Sequence, residues 1–293
     1  MTDSTATLAS PTPTPAAVNW WHEIRGLAGM LAAVVAFHSL VAKPFYIPSA
    51  SMLPGLWVGD HLVVSKYPYG WDWASASFHV LPRSPARILP ATPEYGDIVI
   101  VIPRGTTVDY IKRVVARPGD RIAVVNGQII LNGKPVPQAV EPPTEIPLDA
   151  IRSDEDPDPC TGPGFDGMLQ RKPSGQEVCV MPTWRETLPN GASYRIIDHM
   201  DQPLDHMAEI TVPAGEVFVM GDNRDHSADS RASLEERGLG GPVPISDIGG
   251  RAEFITHSFK GDLGWNPLHW LDALRSGRAG RSLRPALGAP AAP

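Results

Sequence analysis

From Gly26 to Ala42 the chain reads GLAGMLAAVVAFHSLVA, 17 residues without a formal charge, bracketed by Arg25 and Lys43 and preceded by Trp20 and Trp21. A bilayer core takes about 20 helical residues. A slightly short stretch still spans when flanking cations snorkel and tryptophans sit at the interface. Residues 24–43 are therefore expected to be a single transmembrane helix. A buried helix or a cleaved export signal would share this composition. An export signal usually opens on a short basic region, whereas here about 20 mostly uncharged residues with Pro11, Pro13 and Pro15 come first. Residues 1–23, rich in Ser, Thr, Pro and Ala, read as a disordered tail. One basic residue on each side leaves the orientation open.

Beyond the span the periodicity is that of strands. His61 to Ser65, Asp97 to Val101 and Val108 to Val115 are short apolar runs, and Glu209 to Met220 is another. Between Arg121 and Val136, Asn126-Gly127 and Asn132-Gly133 separate apolar runs; Asn-Gly supplies the positive φ of tight hairpins, so a small meander is expected. The 32 prolines favour short strands and loops over long helices. The fold class is mainly β: one transmembrane helix, then an antiparallel domain of residues 44–136 and 209–272. A smaller β-rich insertion at 137–208 interrupts it, and 273–293 reads as a flexible tail. A net charge of −7 gives no nucleic-acid surface. Cys160 and Cys179 fit no zinc pattern, which leaves a disulfide or two separate thiols.

Three segments hold candidate chemistry. Ile47-Pro48-Ser49-Ala50-Ser51-Met52-Leu53-Pro54 places serines in a stiff loop just after the span, but a serine hydroxyl needs a base. In Asp109-Tyr110-Ile111-Lys112-Arg113-Val114-Val115, alternation puts Tyr110 and Lys112 on one face and Ile111 and Arg113 on the other. One of the two cations then points inward or toward a cleft. Burial disfavours a charged amine; moving a lysine from about 10.4 to near 7 takes roughly 4–5 kcal/mol and yields a competent base. Gly221 to Arg231 (GDNRDHSADSR) is dense in polar groups; it does not match a calcium loop and suits a hydrogen-bonded brace. A Ser227–His226 pair is disfavoured because adjacent residues seldom face each other.

Together these segments, with the flanking GDHLVVSKYPYG, YGDIVIV and GGRAEF stretches, resemble the type I signal peptidase (leader peptidase) family, bacterial serine proteases with a Ser/Lys dyad. The resemblance covers most of residues 25–260. It implies Ser51 as nucleophile and Lys112 as general base, with Ser227 orienting the Lys112 amine. Ser49 and the Ser51 N–H would form the oxyanion hole, and Arg113 and Asp229 a structural ion pair. Phe45, Ile47, Pro48, Met52, Leu56, Tyr110 and Ile111 would line the substrate groove, whose small pockets suit the small-residue cleavage rule of export signals.

The resemblance also implies no metal or other cofactor, signal peptides of exported preproteins as partners alongside membrane lipid, and no nucleic acid. It places the chain in the bacterial inner (cytoplasmic) membrane, with residues 1–23 in the cytoplasm and the catalytic domain on the periplasmic side, where a Cys160–Cys179 disulfide is favoured. Ser51 lies nine residues past Ala42, a tether of at most about 30 Å. Three departures stand out: Ala50 for a common glycine, His226 for a common asparagine, and a longer, more charged Ala232–Gly241. Alternatives are a dedicated relative serving conjugation or pilus maturation, and an inactive membrane-anchored peptide-binding module. A Ser-x-x-Lys acylase fails, since Met-Leu-Pro follows Ser51.

Overall fold

A computed structural model of the chain describes residues 19–79, 81–154, 156–261 and 268–288. Most of the expected N-terminal tail, residues 1–18, lies outside them. The first element is helix α1, Trp20–Leu40, whose 21 residues bury nothing within the protein and span about 30 Å. It starts earlier than expected because Asn19 caps it, accepting from the His22 N–H. It also ends earlier than residue 43. Pro44 disfavours helix in the residue before it, and the chain enters strand β1, Ala42–Tyr46, on the edge of a sheet where a missing N–H is tolerated.

The strands that follow are β2 (Asp60–Ser65), β3 (Ile98–Val101), β4 (Tyr110–Ala116), β5 (Arg121–Val125), β6 (Gln128–Leu131), β7 (Lys134–Pro135), β8 (Gln138–Pro147), β9 (Leu169–Arg171), β10 (Glu177–Thr187), β11 (Ala192–Ile196), β12 (His206–Thr211), β13 (Glu216–Met220), β14 (Val243–Pro244), β15 (Ile248–Ser258) and β16 (Ala286–Leu287). A short helix α2, Leu268–Ala273, precedes β16. The main sheet runs β1-β2-β15-β3-β4-β13-β14, its described pairings antiparallel. A four-stranded sheet runs β12-β5-β6-β7; its turns place Asn126 and Asn132 at φ 50° and 55°, each followed by a left-handed glycine, as the Asn-Gly pairs require.

The insertion is a sheet of β16-β11-β10-β8, with β9 on β10. Its end needs shifting: His206 to Ala208 belong to β12, which pairs with β5. The last segment also differs from expectation. It is not a flexible tail through residue 288, because Arg275 and Arg278 are buried, Leu283 joins the core and β16 pairs with β11. Cys160 and Cys179 form a disulfide. It lies in an apolar cluster with Ile146, Met181 and Leu53, so the insertion packs against the loop that follows β1.

Candidate active site

The loop between β1 and β2 carries Ser51. Its ends are tied together, the Ile47 N–H donating to Asp60 O at 2.9 Å and the Gly59 N–H to Ile47 O at 3.0 Å. Met52 and Leu56 have no exposed surface and pack with Ile98, Ile100 and Ile111. Burying each such side chain is worth about 1.5–3 kcal/mol, so the loop is pinned from below with Ser51 left at the top. Met52 and Leu56 are consequently part of the core cluster that also holds Ile47 and Ile111, with no accessible surface of their own. Ile47 is also almost fully buried and Ile111 nearly so, whereas Phe45, Pro48 and Tyr110 retain accessible surface.

Lys112 reaches this loop from β4. Its Nζ donates to Ser51 Oγ at 2.9 Å, with Lys112 4% and Ser51 8% exposed. Ser49 Oγ lies 3.5 Å from Ser51 Oγ. A second lysine, Lys66, is also buried, and burial pulls its amine down to about 8. Its Nζ donates to the Gly249 carbonyl at 2.7 Å.

Both cations of the Lys112-Arg113 step are buried, not one. The Arg113 face is covered by the insertion, where its guanidinium stacks over Tyr194 at 4.2 Å. Arg113 does not pair with Asp229. Its Nε and a terminal nitrogen donate to Asp222 at 2.7 and 2.6 Å, and it caps Gly96 O at 2.7 Å. The reason is register: β13 sets Met220 opposite Arg113, which brings Asp222 within reach. Asp229 instead accepts from the Gly221 N–H and from Arg231. Burial alone would raise its carboxyl, but Arg231 and those N–H groups hold it below the usual range.

The Gly221–Arg231 segment braces the serine loop. The Asn223 N–H donates to Ser51 O and its side-chain amide to Ala50 O, each at 3.1 Å. Arg224 is fully buried against Glu186 of β10, which also accepts from Tyr194 and Gln138. Ser227 differs from expectation. Its Oγ is buried but makes no hydrogen bond, so it does not orient Lys112 in this arrangement. It sits instead beside Gly221, where a Cβ would lie 2.2 Å from Ser227 Oγ and 2.5 Å from Ser51 O. Gly221 and Asn223 were not singled out in the sequence; their signal was only the density of polar groups after a strand.

His226 is exposed and faces Phe165 at 6.1 Å, so no Ser–His pair forms with Ser227. Ala50 has no positive φ, so alanine there costs no backbone strain. The Ala232–Gly241 stretch reaches the site through Tyr110, whose hydroxyl donates to Arg237 O at 3.1 Å. Asp198, Asp205 and Asp225 bring carboxylate oxygens within 4.8 Å of one another. Cationic or imidazole groups of the chain already face them: Arg231 lies 3.6 Å from Asp205, and His199 2.6 Å from Asp225.

An antiparallel β domain follows one helix long and apolar enough to cross a membrane, the architecture of a membrane-anchored protein. Residues 20–257 match the family described as Signal peptidase, peptidase S26, and the chain belongs to that family. It is a serine peptidase, a membrane protease that cleaves signal peptides. The signal peptidase I of Rickettsia typhi is 30% identical over 249 residues, covering 81% of this chain and 80% of that protein. That of Rickettsia canadensis is 30% identical over 280 residues, covering 89% and 92%. A crystal structure of a signal peptidase I from Enterococcus faecalis is 17% identical and covers 55% of this chain and 97% of its own, with a TM-score of 0.27.

Proposed function

We propose that the chain cleaves N-terminal signal peptides from exported preproteins with Ser51 as nucleophile and Lys112 as general base. The observation that carries this reading is the 2.9 Å contact between Lys112 Nζ and Ser51 Oγ, two buried groups from different elements. A neutral Lys112 amine takes the Ser51 proton as Oγ attacks the scissile carbonyl carbon. The Ser51 N–H and the Ser49 hydroxyl donate to the oxyanion, and one such donor is typically worth about 3–4 kcal/mol. Lys112 then passes its proton to the departing amine, leaving an acyl-serine. A water, deprotonated by Lys112, releases the signal peptide and regenerates the serine.

The substrate lies extended between the Phe45–Pro48 segment and Tyr110–Ile111, in the manner of an added strand. The catalytic domain occupies the extracytoplasmic side of the bacterial inner membrane, with residues 1–23 in the cytoplasm. The Cys160–Cys179 disulfide favours that side, because disulfides persist in oxidising compartments. Residues 44–136 and 206–258, joined by the segment that carries Arg275, Arg278 and Leu283, supply the catalytic unit, with 137–205 as its insertion.

Cleavage of a signal-bearing precursor tests the dyad. Ser51→Ala and Lys112→Met are each expected to lose at least about a thousand-fold in kcat while melting as cooperatively as the wild type. The wild-type rate is expected to climb with pH until Lys112 is neutral. Turnover near wild type by either variant refutes the assignment. Processing of many unrelated precursors separates a general peptidase from one dedicated to a single substrate.

A further inference from the structure

The family match ends at residue 257, yet the segment after α2 is built into the loop that carries Ser51. Arg278 Nε donates to Asp60 Oδ1 at 3.1 Å, and a terminal nitrogen donates to Gly55 O at 3.0 Å and to the second Asp60 oxygen. Its guanidinium lies 4.2 Å from the Trp57 ring centroid, and Trp57 is itself tied down through its backbone N–H to Asp60 and its indole N–H to Pro54 O. Three residues earlier, Arg275 donates to Val58 O at 2.6 Å, to Ser258 Oγ at 3.0 Å and to Asp149 of the insertion. Leu283 then packs with Ile47, Met52 and Leu56.

We infer that Arg278 is a positioning residue for the nucleophile, acting as a clamp that ties the Ser51 loop at Gly55 to the start of β2. Gly55 lies four residues after Ser51, and Asp60 is the first residue of β2. One planar guanidinium therefore joins the middle of the loop to its anchored end. A fork fixes both distance and angle, which a point charge does not. Asn223 holds Ala50 and Ser51 by their carbonyls, and the arginine holds the loop farther along, at Gly55 and Asp60. Freed from the clamp, the loop keeps its apolar anchors but loses the orientation of Oγ toward Lys112. Misplacement by about 1 Å is enough to cost up to a hundred-fold.

This inference rests on the Ser51 assignment, and the test separates the two. The full chain in detergent is assayed on a signal-bearing precursor as Arg278→Gln, Arg278→Lys, Ser51→Ala and Leu131→Ala. The last removes a buried side chain of β6 that packs in a different apolar cluster from the loop's Ile47, Met52, Leu53 and Leu56, and controls for instability alone. At a temperature where all are folded, Arg278→Gln is expected to lose about 10- to 100-fold in kcat with KM within about two-fold. Arg278→Lys, which keeps the charge without the fork, falls between it and wild type; Leu131→Ala keeps its kcat. The clamp is overturned if Arg278→Gln retains kcat within two-fold, or if Leu131→Ala loses as much. Should Arg278→Gln fail to fold, Arg278→Lys is judged by the same kcat criterion. Residual cleavage by Ser51→Ala would instead sink the nucleophile assignment, whereas an inert Ser51→Ala beside a fully active Arg278→Gln removes only the clamp.

Discussion

Gly221 matters for the atom it lacks. A Cβ there would sit 2.5 Å from both Ser227 Cβ and the Ser51 carbonyl oxygen, and backbone cannot step aside as a flexible side chain can. Overpacking of this kind costs about 1–3 kcal/mol, and here the displaced atoms include the Ser51 carbonyl oxygen. Gly221→Ala is expected to lose at least about ten-fold in kcat along with roughly 2 kcal/mol of stability, read by precursor cleavage and denaturant melts. An alanine variant with unchanged kcat would show that the Ser51 backbone does not depend on that approach. The meeting of Ser51 with Lys112 was legible because three motifs occur in one order. The partner of Arg113 was not. Asp222 and Asp229 lie in the same polar segment, and only the pairing of β13 with β4 decides which carboxylate faces the guanidinium.

At the scale of elements, strands and hairpins were readable where local chemistry dictates them. β2 and β3 follow apolar runs, and the β5–β6–β7 meander follows its Asn-Gly turns. The end of α1 was less readable, because apolar residues and Lys43 suit a membrane helix and an edge strand alike. The segment after β11 shows what pattern cannot give. Asp198 packs over the Asn126-Gly127 turn, and burial, then the neighbouring Asp205, pushes its carboxyl up to about 6 from an ordinary 3.8, against the pull of Arg224. The folded protein thus holds this proton more tightly than the unfolded chain does. The stability it contributes is full below about pH 4 and is lost as pH rises through 6. Asp198→Asn should therefore melt higher than wild type at pH 7.5, by about 1–2 kcal/mol after discounting for partial solvent exposure. The gap should close near pH 4. An equal gap at both pH values would remove Asp198 from the acid–base balance of the fold.

For the molecule as a whole, the helix and the β domain divide location from chemistry. The division was visible in the sequence, since the apolar stretch ends a few residues before the serine loop. The closing of the C-terminal segment onto that loop was not, because arginines among Gly, Ala and Pro look solvated until Asp60 and Asp149 are placed beside them in space. α1 buries no side chain within the protein. Its last turn is attached through the Trp71 indole N–H to Leu40 O at 2.8 Å and through hydrogen bonds between Ser39 and Ser77. Such bonds contribute about 1 kcal/mol each. Removing residues 1–40 should consequently leave the β domain folded, its stability lower by no more than about 3 kcal/mol. The loss should fall on encounter instead. A tether holds the active site within tens of ångströms of a precursor's membrane segment, raising the effective concentration by orders of magnitude. The shortened protein is expected to cut a short soluble peptide within about three-fold of the full chain, while its rate on a precursor inserted in vesicles drops by at least about ten-fold. Equal losses on both substrates would mean that the helix shapes the site itself and does not merely bring it to the bilayer.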